Sequence, residues 1–181
     1  MRPTSPTTPR RKGSSMSDSA ASKHILSVTV ENKPGVLSRV TGMISRRGFN
    51  IESLTVAPTE DEGLSRMTII VEADEYGFEQ ITKQLHKLVS VFRISDLTEE
   101  DAVERELVLF KVQASPDRRH EIIEIANVFR AKVVDVGKNT LTIEATGNES
   151  KLDAMENLFR GYGIRQLTRT GKIAMGRGHD Q

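Results

Sequence analysis

Hydrophobic residues recur along this chain at the spacing of a strand in some stretches and at the spacing of a helix in others. The order of these stretches restricts the fold more than any other feature. Between His24 and Glu31 apolar and polar residues alternate, which is typical of a half-buried strand. From Gly35 onward the apolar residues recur at helical spacing. The rest of this half continues with a strand at 50–57, a strand at 65–72, a helix at 78–88 and a strand at 89–97. The predicted order is therefore βαββαβ, the split arrangement of ferredoxin-like domains.

The same patterns recur after a polar, acidic stretch, residues 98–105. They predict a strand at 107–112, a helix at 122–129, strands at 133–136 and 141–145, a helix at 152–159 and an extended stretch at 164–175 with a break at Gly171. We therefore predict an α+β chain with two ferredoxin-like βαββαβ domains. The predicted parts are a disordered tail at 1–22, a first domain at 23–98, a linker at 99–105 and a second domain of similar topology at 106–178.

Composition argues against several classes of function. The formal net charge is +1, so no overall positive field favours nucleic acid, and aromatic residues for base stacking amount to only 4%. No apolar run approaches the roughly 20 residues of a membrane-spanning helix. The absence of cysteine excludes disulfides and thiolate chemistry. Residues 1–22, rich in Ser, Thr, Pro and Arg, predict a disordered tail, with a plastid transit peptide as the alternative.

No set of residues in the sequence forms a recognisable catalytic or metal-binding motif. None of the four histidines has the spacing of metal ligands, and the acidic residues gather in a turn at 59–62 and in the stretch 99–104. A nucleophile elbow, a phosphate-binding loop and a dinucleotide motif are all missing. We therefore predict that the chain is not an enzyme and carries no metal or cofactor of its own.

The turn between the first strand and the first helix is the best candidate for a binding site. Pro34 presets this turn, and Gly35 allows close approach because it has no Cβ. The backbone N–H groups of Val36 and Leu37 are expected to be free at the helix start, where a small anion such as an amino-acid carboxylate can bind. Asn32 could hold an ammonium group or a carboxylate oxygen. The alternative is an ordinary helix N-terminus with an asparagine near its cap.

A second group of candidate residues follows the first helix. Asn50 offers the same donors and acceptors as Asn32, and Ile51 with Leu37 could line a small apolar pocket. A βαββαβ unit also leaves one sheet face open and its edge strands unpaired, and pairing with another chain relieves both. We therefore expect a homodimer or a larger assembly, the alternative being a monomer whose two domains cover each other.

Longer stretches of the sequence resemble a known family. Residues 24–97 resemble an ACT domain, a small regulatory module that binds amino acids at subunit interfaces. The stretch RRGFNIESLTVAPT at 46–59 is similar to the small regulatory subunits of acetolactate synthase (acetohydroxyacid synthase) in particular. RELVLFKVQA, VFRAKVVDV, LTIEATGNESKLDAM and RTGKIAMGRG extend that resemblance through the second half, to residue 178. One copy of the two-domain unit is present, as in bacterial forms.

The resemblance implies a non-catalytic regulatory subunit in branched-chain amino acid biosynthesis. Its partner would be the large catalytic subunit, which carries thiamine diphosphate, Mg and FAD. The second domain of the present chain would contribute to the contact with that partner. The small subunit would activate the enzyme and confer feedback inhibition by valine, bound between the ACT domains of a homodimer in the bacterial cytoplasm. The resemblance assigns the valine loop to Asn32, Gly35, Val36, Leu37 and Ser38, and the positions supplied across the dimer to Asn50 and Ile51.

Three other functions compete with this interpretation. The same ACT-type sensor could regulate a different enzyme. An RNA-recognition module shares the βαββαβ order, but the strands at 24–31 and 65–72 lack the aromatic residues that stack on bases. A small enzyme would need a catalytic set that the sequence does not offer.

Overall fold

The computed structural model of the chain describes residues 21–99 and 101–178, so the predicted tail lies almost entirely outside the described residues. The N-terminal half contains β1 (Ser22–Glu31), α1 (Val36–Ser45), β2 (Ile51–Pro58), β3 (Leu64–Ala73), α2 (Glu75–Leu85) and β4 (Val91–Asp96). The C-terminal half contains β5 (Ala102–Gln113), α3 (Arg119–Val128), β6 (Lys132–Val136), β7 (Thr140–Gly147), α4 (Glu149–Arg160), β8 (Ile164–Arg169) and β9 (Ile173–Gly176). Among the described residues no helix is both long and apolar enough to cross a bilayer.

The two halves form two antiparallel sheets with equivalent topology. The strand order is β2-β3-β1-β4 in the N-terminal sheet and β6-β7-β5-β8 in the C-terminal sheet, where β9 additionally pairs with β5. This arrangement confirms the predicted α+β class and the repeated βαββαβ order. Each sheet carries its two helices on one face, where every second residue is buried from Leu26 onward in β1 and from Glu106 onward in β5.

Each pair of helices covers its own hydrophobic core. In the N-terminal core, strand residues such as Leu26 and Ile69 pack against Val40 and Ile44 of α1, all with 0% exposure. In the C-terminal core the rings of Phe110 and Phe159 meet edge to face, with centroids 5.4 Å apart. The helices α2 and α4 begin at side-chain caps, since the Asp74 and Asn148 side chains accept hydrogen bonds from backbone N–H groups three residues later.

Residues 102–105 are strand, although the sequence analysis placed them in a linker. They form the first part of β5 and pair antiparallel with β9, from Ala102 opposite Gly176 to Arg105 opposite Ile173. A two-stranded ribbon needs few apolar residues, because one of its faces can stay in water, and the polar composition of this stretch concealed the strand. The predicted break at Gly171 is confirmed, since this residue has φ +87° and lies between β8 and β9.

The ribbon formed by the start of β5 and by β9 lies across the helix-free face of the N-terminal sheet. A small third cluster forms there, in which Ala174 of β9 packs with Ile25, Ile70 and Leu97, and Ala102 packs against it. Part of the sheet face that was expected to be open is therefore covered by the same chain. The edge strand β2, in contrast, pairs only with β3 among the described residues.

A group of ion pairs stabilises the C-terminal half. Arg169 on β8 donates hydrogen bonds to Glu106 at 3.1 Å, Asp153 at 2.8 Å and Glu156 at 2.8 Å. Glu106 is only 9% exposed, and the guanidinium of Arg169 offsets the loss of water around its carboxylate. The hydrogen bond from Arg169 also holds the pKa of Glu156 below its ordinary value of 4.5.

Replacing Arg169 by methionine is expected to lower the free energy of unfolding by about 2 kcal/mol at pH 7, because a nearly buried carboxylate loses a charged hydrogen-bond donor. Since the pKa of Glu156 is lowered on folding, its stabilising contribution is present above pH 4.5 and is lost as the pH falls below it. The difference between the two proteins should therefore shrink below pH 4.5. Urea denaturation at pH 7 and pH 4 measures this difference in the free energy of unfolding. Arg165→Met, at an exposed position of the same strand, is the control. An equal loss of stability in both variants would contradict the stabilising role assigned to the ion pairs of Arg169.

Candidate functional site

The turn between β1 and α1 is closed by backbone hydrogen bonds and leaves open space in front of it. The N–H of Asn32 donates to the carbonyl of Gly63 at 2.7 Å, and the N–H of Lys33 donates to the carbonyl of Glu31 at 3.0 Å. Gly35 precedes the helix with φ +82° and ψ −10°, a left-handed conformation that favours glycine. A Cβ at Gly35 would meet no other atom within 4 Å. The backbone of the turn can therefore be approached closely from outside.

The free backbone N–H groups lie one residue later than predicted. The N–H of Val36 donates to the carbonyl of Lys33 at 3.3 Å, so the expectation that this amide is free was wrong; its side chain is only 5% exposed and belongs to the core. Among the hydrogen bonds found in the described part of the chain, none is donated by the backbone N–H of Leu37 or Ser38. Both residues are exposed and lie in the first turn of α1, whose N–H groups have no partner within the helix.

Asn50 and Ile51 lie at the opposite end of the sheet from this turn. Ile51 is opposite Val71 on β3, and Val71 is opposite His24 on β1, whereas the turn begins after Glu31. The seven steps along the strand from His24 to Glu31 span roughly 23 Å at about 3.3 Å per residue. One copy of the chain therefore does not bring the two groups of predicted site residues together.

The far end of β2, in contrast, lies beside the turn. Pro58 is opposite Ser65 on β3, and Ser65 is opposite Val30 on β1, two residues before Asn32. Along this free edge Val56 is 43% exposed. Leu37 on α1 is 39% exposed. The edge of the N-terminal sheet thus combines unpaired backbone groups with apolar side chains, the features of a surface that pairs with another strand.

Sequence reasoning missed a polar contact between β2 and the segment before β9. The N–H of Lys172 donates to Ser53 Oγ at 3.2 Å, and Thr55 Oγ1 donates to the carbonyl of Lys172 at 3.0 Å. The Lys172 ammonium, 13% exposed, contacts Glu149 at 2.8 Å and Glu104 at 3.2 Å. The polar residues that alternate along β2 were the available signal, but no local pattern identifies their partner.

The charges around Lys172 hold each other in the ionised state. Burial opposes the charge on Lys172, but the hydrogen bonds that it donates to Glu149 and Glu104 raise its pKa above its ordinary value. The hydrogen bond from Lys172 in turn lowers the pKa of Glu149. Within the described ranges no group of three or more His, Cys, Asp or Glu residues could hold a metal ion. The salt bridges of Lys172 link the segment before β9 to β5 and α4.

A cavity of about 580 Å³ lies elsewhere, on the helix-free side of the N-terminal sheet beside β9. Its lining includes Ala57, Thr68, Val103 and Met175, and it includes none of the seven predicted site residues. The predicted residues lie at the two ends of the N-terminal sheet, and the cavity contacts the same edge strand, β2, at Thr55, Ala57 and Pro58.

Comparison with known proteins first defines the class. Residues 26–93 match the family model described as "AHAS small subunit-like ACT domain", so the N-terminal half is an ACT domain. Residues 105–178 match the model described as "Small subunit of acetolactate synthase". The chain belongs to the family of acetolactate synthase small subunits, which confirms the resemblance found in the sequence.

Individual relatives agree with this assignment along nearly their whole length. The chain is 55% identical over 157 residues to the probable acetolactate synthase small subunit of Archaeoglobus fulgidus, covering 87% of this chain and 98% of the relative. It is 52% identical over 155 residues to the acetolactate synthase small subunit of Mycolicibacterium smegmatis, covering 86% and 91%. Its structure is similar to the crystal structure of the small subunit from Thermotoga maritima, with a TM-score of 0.80, 41% identity and coverage of 88% and 99%.

Proposed function

We propose that this chain is the regulatory subunit of a bacterial, cytoplasmic acetolactate synthase. It activates the catalytic subunit, which carries thiamine diphosphate, Mg and FAD, and it makes that enzyme sensitive to feedback inhibition by valine. The chain itself has no catalytic role. The observation that carries the proposal is the turn at Gly35, where a left-handed glycine leaves open space before the first turn of α1.

The chemistry of this turn suits the carboxylate of an amino acid. The backbone N–H groups of Leu37 and Ser38 point out of the helix N-terminus, where the helix dipole favours negative charge. The side chain of Asn32 is exposed and offers a carbonyl oxygen to an ammonium group. Valine carries its ammonium and carboxylate groups on the same carbon atom, Cα, so one small ligand can satisfy the turn and the asparagine together.

A homodimer would complete the site. If β2 pairs antiparallel with β2 of a second copy across a twofold axis, the start of one strand lies opposite the end of the other. The end of β2 is beside the turn that holds Asn32 and Gly35. Asn50 and Ile51 of the second copy would then lie near that turn, although within one chain they are at the far end of the sheet. Apolar Ile51 and Leu37 would close a small pocket around the valine side chain.

Regulation follows from linkage between the binding of valine and the binding of the catalytic subunit. If valine binds one arrangement of the paired ACT domains more tightly, it shifts the complex with the catalytic subunit toward that arrangement. A site shared by two copies serves this purpose, because its affinity depends directly on how the copies are arranged.

The proposal is tested by measuring acetolactate formation from pyruvate with the catalytic subunit of the same organism. The rate is measured with the catalytic subunit alone, with this chain added, and with this chain plus valine. We expect this chain to stimulate the rate and valine to reverse the stimulation; leucine and isoleucine in place of valine define the selectivity. If the chain neither stimulates nor binds the catalytic subunit, the proposed function is wrong and an ACT-type sensor of another enzyme becomes the better interpretation.

A further inference from the structure

The residues that follow the predicted valine contacts reach the C-terminal half of the chain, Glu52 through Lys23 and the next polar residues of β2 directly. Asn50 and Ile51 precede Glu52, whose carboxylate pairs with Lys23 at 2.6 Å. Lys23 also contacts Glu149, at the start of α4, at 3.6 Å. Two further residues of β2, Ser53 and Thr55, bind the backbone of Lys172 as described above. The contacts between the halves therefore begin directly after the residues that the proposed site requires.

Gly171 and Lys172, which we call the connecting segment, lie tightly against β2. A Cβ at Gly171 would be 2.8 Å from Ser53 Oγ and 2.9 Å from Thr55 Oγ1. Such distances are shorter than normal contacts, so only glycine allows this approach, and its φ of +87° favours glycine as well. Because both backbone polar atoms of Lys172 are bonded to β2, the segment has little freedom to move independently of that strand.

The other end of the connecting segment is fixed to the C-terminal half. The Lys172 ammonium contacts Glu149 of α4 and Glu104 of β5. A displacement of β2 must therefore either move these carboxylates or break their contacts with Lys172. Ion pairs and packed strands of this kind have discrete arrangements, which is the physical requirement for transmitting a change between sites.

We propose that the connecting segment carries the regulatory signal from the valine site to the C-terminal half of the chain. Valine held by Asn50 and Ile51 fixes the position of β2, and the bonds from Ser53 and Thr55 impose that position on Lys172 and on the start of α4. This inference rests on the proposed function and adds to it the route by which an occupied ACT domain alters the rest of the complex.

Two variants separate transmission from binding. Gly171→Ala forces either the connecting segment or the hydroxyls of Ser53 and Thr55 to shift, which disturbs their bonds to Lys172. Gly163→Ala is its matched control, since Gly163 has φ +98° but its Cβ would lie 3.7 Å from the nearest atom, in ordinary contact. The double variant Ser53→Ala, Thr55→Val removes both hydroxyls without adding volume, and it decides the question if Gly171→Ala does not fold. Thr142→Val on β7 is its control, because that hydroxyl bonds only within the C-terminal sheet.

For each protein we would measure valine binding to the full-length small subunit by calorimetry and valine inhibition of the reconstituted holoenzyme. We expect the Kd for valine to stay within about threefold of wild type while the half-inhibitory valine concentration rises at least about tenfold in both variants and in neither control. Unchanged inhibition in the double variant, or equal losses of binding and inhibition, would overturn the inference. Failure of the wild-type chain to bind valine would instead overturn the proposed function.

Discussion

Replacement of Gly35 by aspartate is expected to abolish valine inhibition while the small subunit still activates the catalytic subunit. The new side chain would enter the open space where the valine carboxylate is proposed to bind. Two like charges about 4 Å apart repel by about 4 kcal/mol at an effective dielectric constant of about 20, so the half-inhibitory concentration should rise at least about 100-fold. Aspartate adopts left-handed backbone angles more readily than most residues, so the turn should still form.

Gly35→Asn is the matched control for this prediction, because asparagine has the same size and the same tolerance of left-handed angles but no charge. We expect an intermediate loss of valine sensitivity from the steric effect of its Cβ alone. Acetolactate formation at increasing valine concentrations, with thermal unfolding of both variants, gives the comparison. Valine inhibition of Gly35→Asp at wild-type concentrations would show that the effector binds elsewhere.

Replacement of Val56 by aspartate is expected to separate the proposed homodimer and to remove the proposed valine binding with it. Val56 is 43% exposed on the free edge of β2, where the proposed twofold pairing would bury it. A symmetric interface would receive one new carboxylate from each copy, and burying unpaired charges is strongly unfavourable. The dimer dissociation constant should rise at least about 100-fold, since charges without partners cost several kcal/mol at an interface. Sedimentation velocity over a range of concentrations measures it.

The matched control is Val134→Asp on β6, the equivalent edge strand of the C-terminal sheet, where the valine is 51% exposed. We expect this variant to remain dimeric and sensitive to valine. Dissociation by Val134→Asp but not by Val56→Asp would place the dimer interface on the C-terminal half and would remove the argument that Asn50 and Ile51 act across the ACT domains.

Local patterns were sufficient to predict most of the elements and the position of the turn. Strand and helix periods depend only on which face of an element is buried, and Gly35 depends only on the conformation of its own turn. The amide of Val36 was misassigned because its hydrogen bond to Lys33 depends on how the turn closes. Residues 102–105 were misassigned because the pairing of β5 with β9 joins positions about 70 residues apart, which their own composition does not indicate.

The sequence by itself therefore determined the order of elements, the repeated βαββαβ topology, the membership of the family and the candidate residues of the proposed valine site. The resemblance had assigned Asn50 and Ile51 to the far side of a dimer, but only the tertiary structure showed that within one copy they lie at the other end of the sheet from Asn32. It also revealed the contact of Thr55 with Lys172, across 117 residues. The physical reason is that periodicity records whether a residue is buried, whereas register and contacts between distant segments depend on the packing of the whole chain.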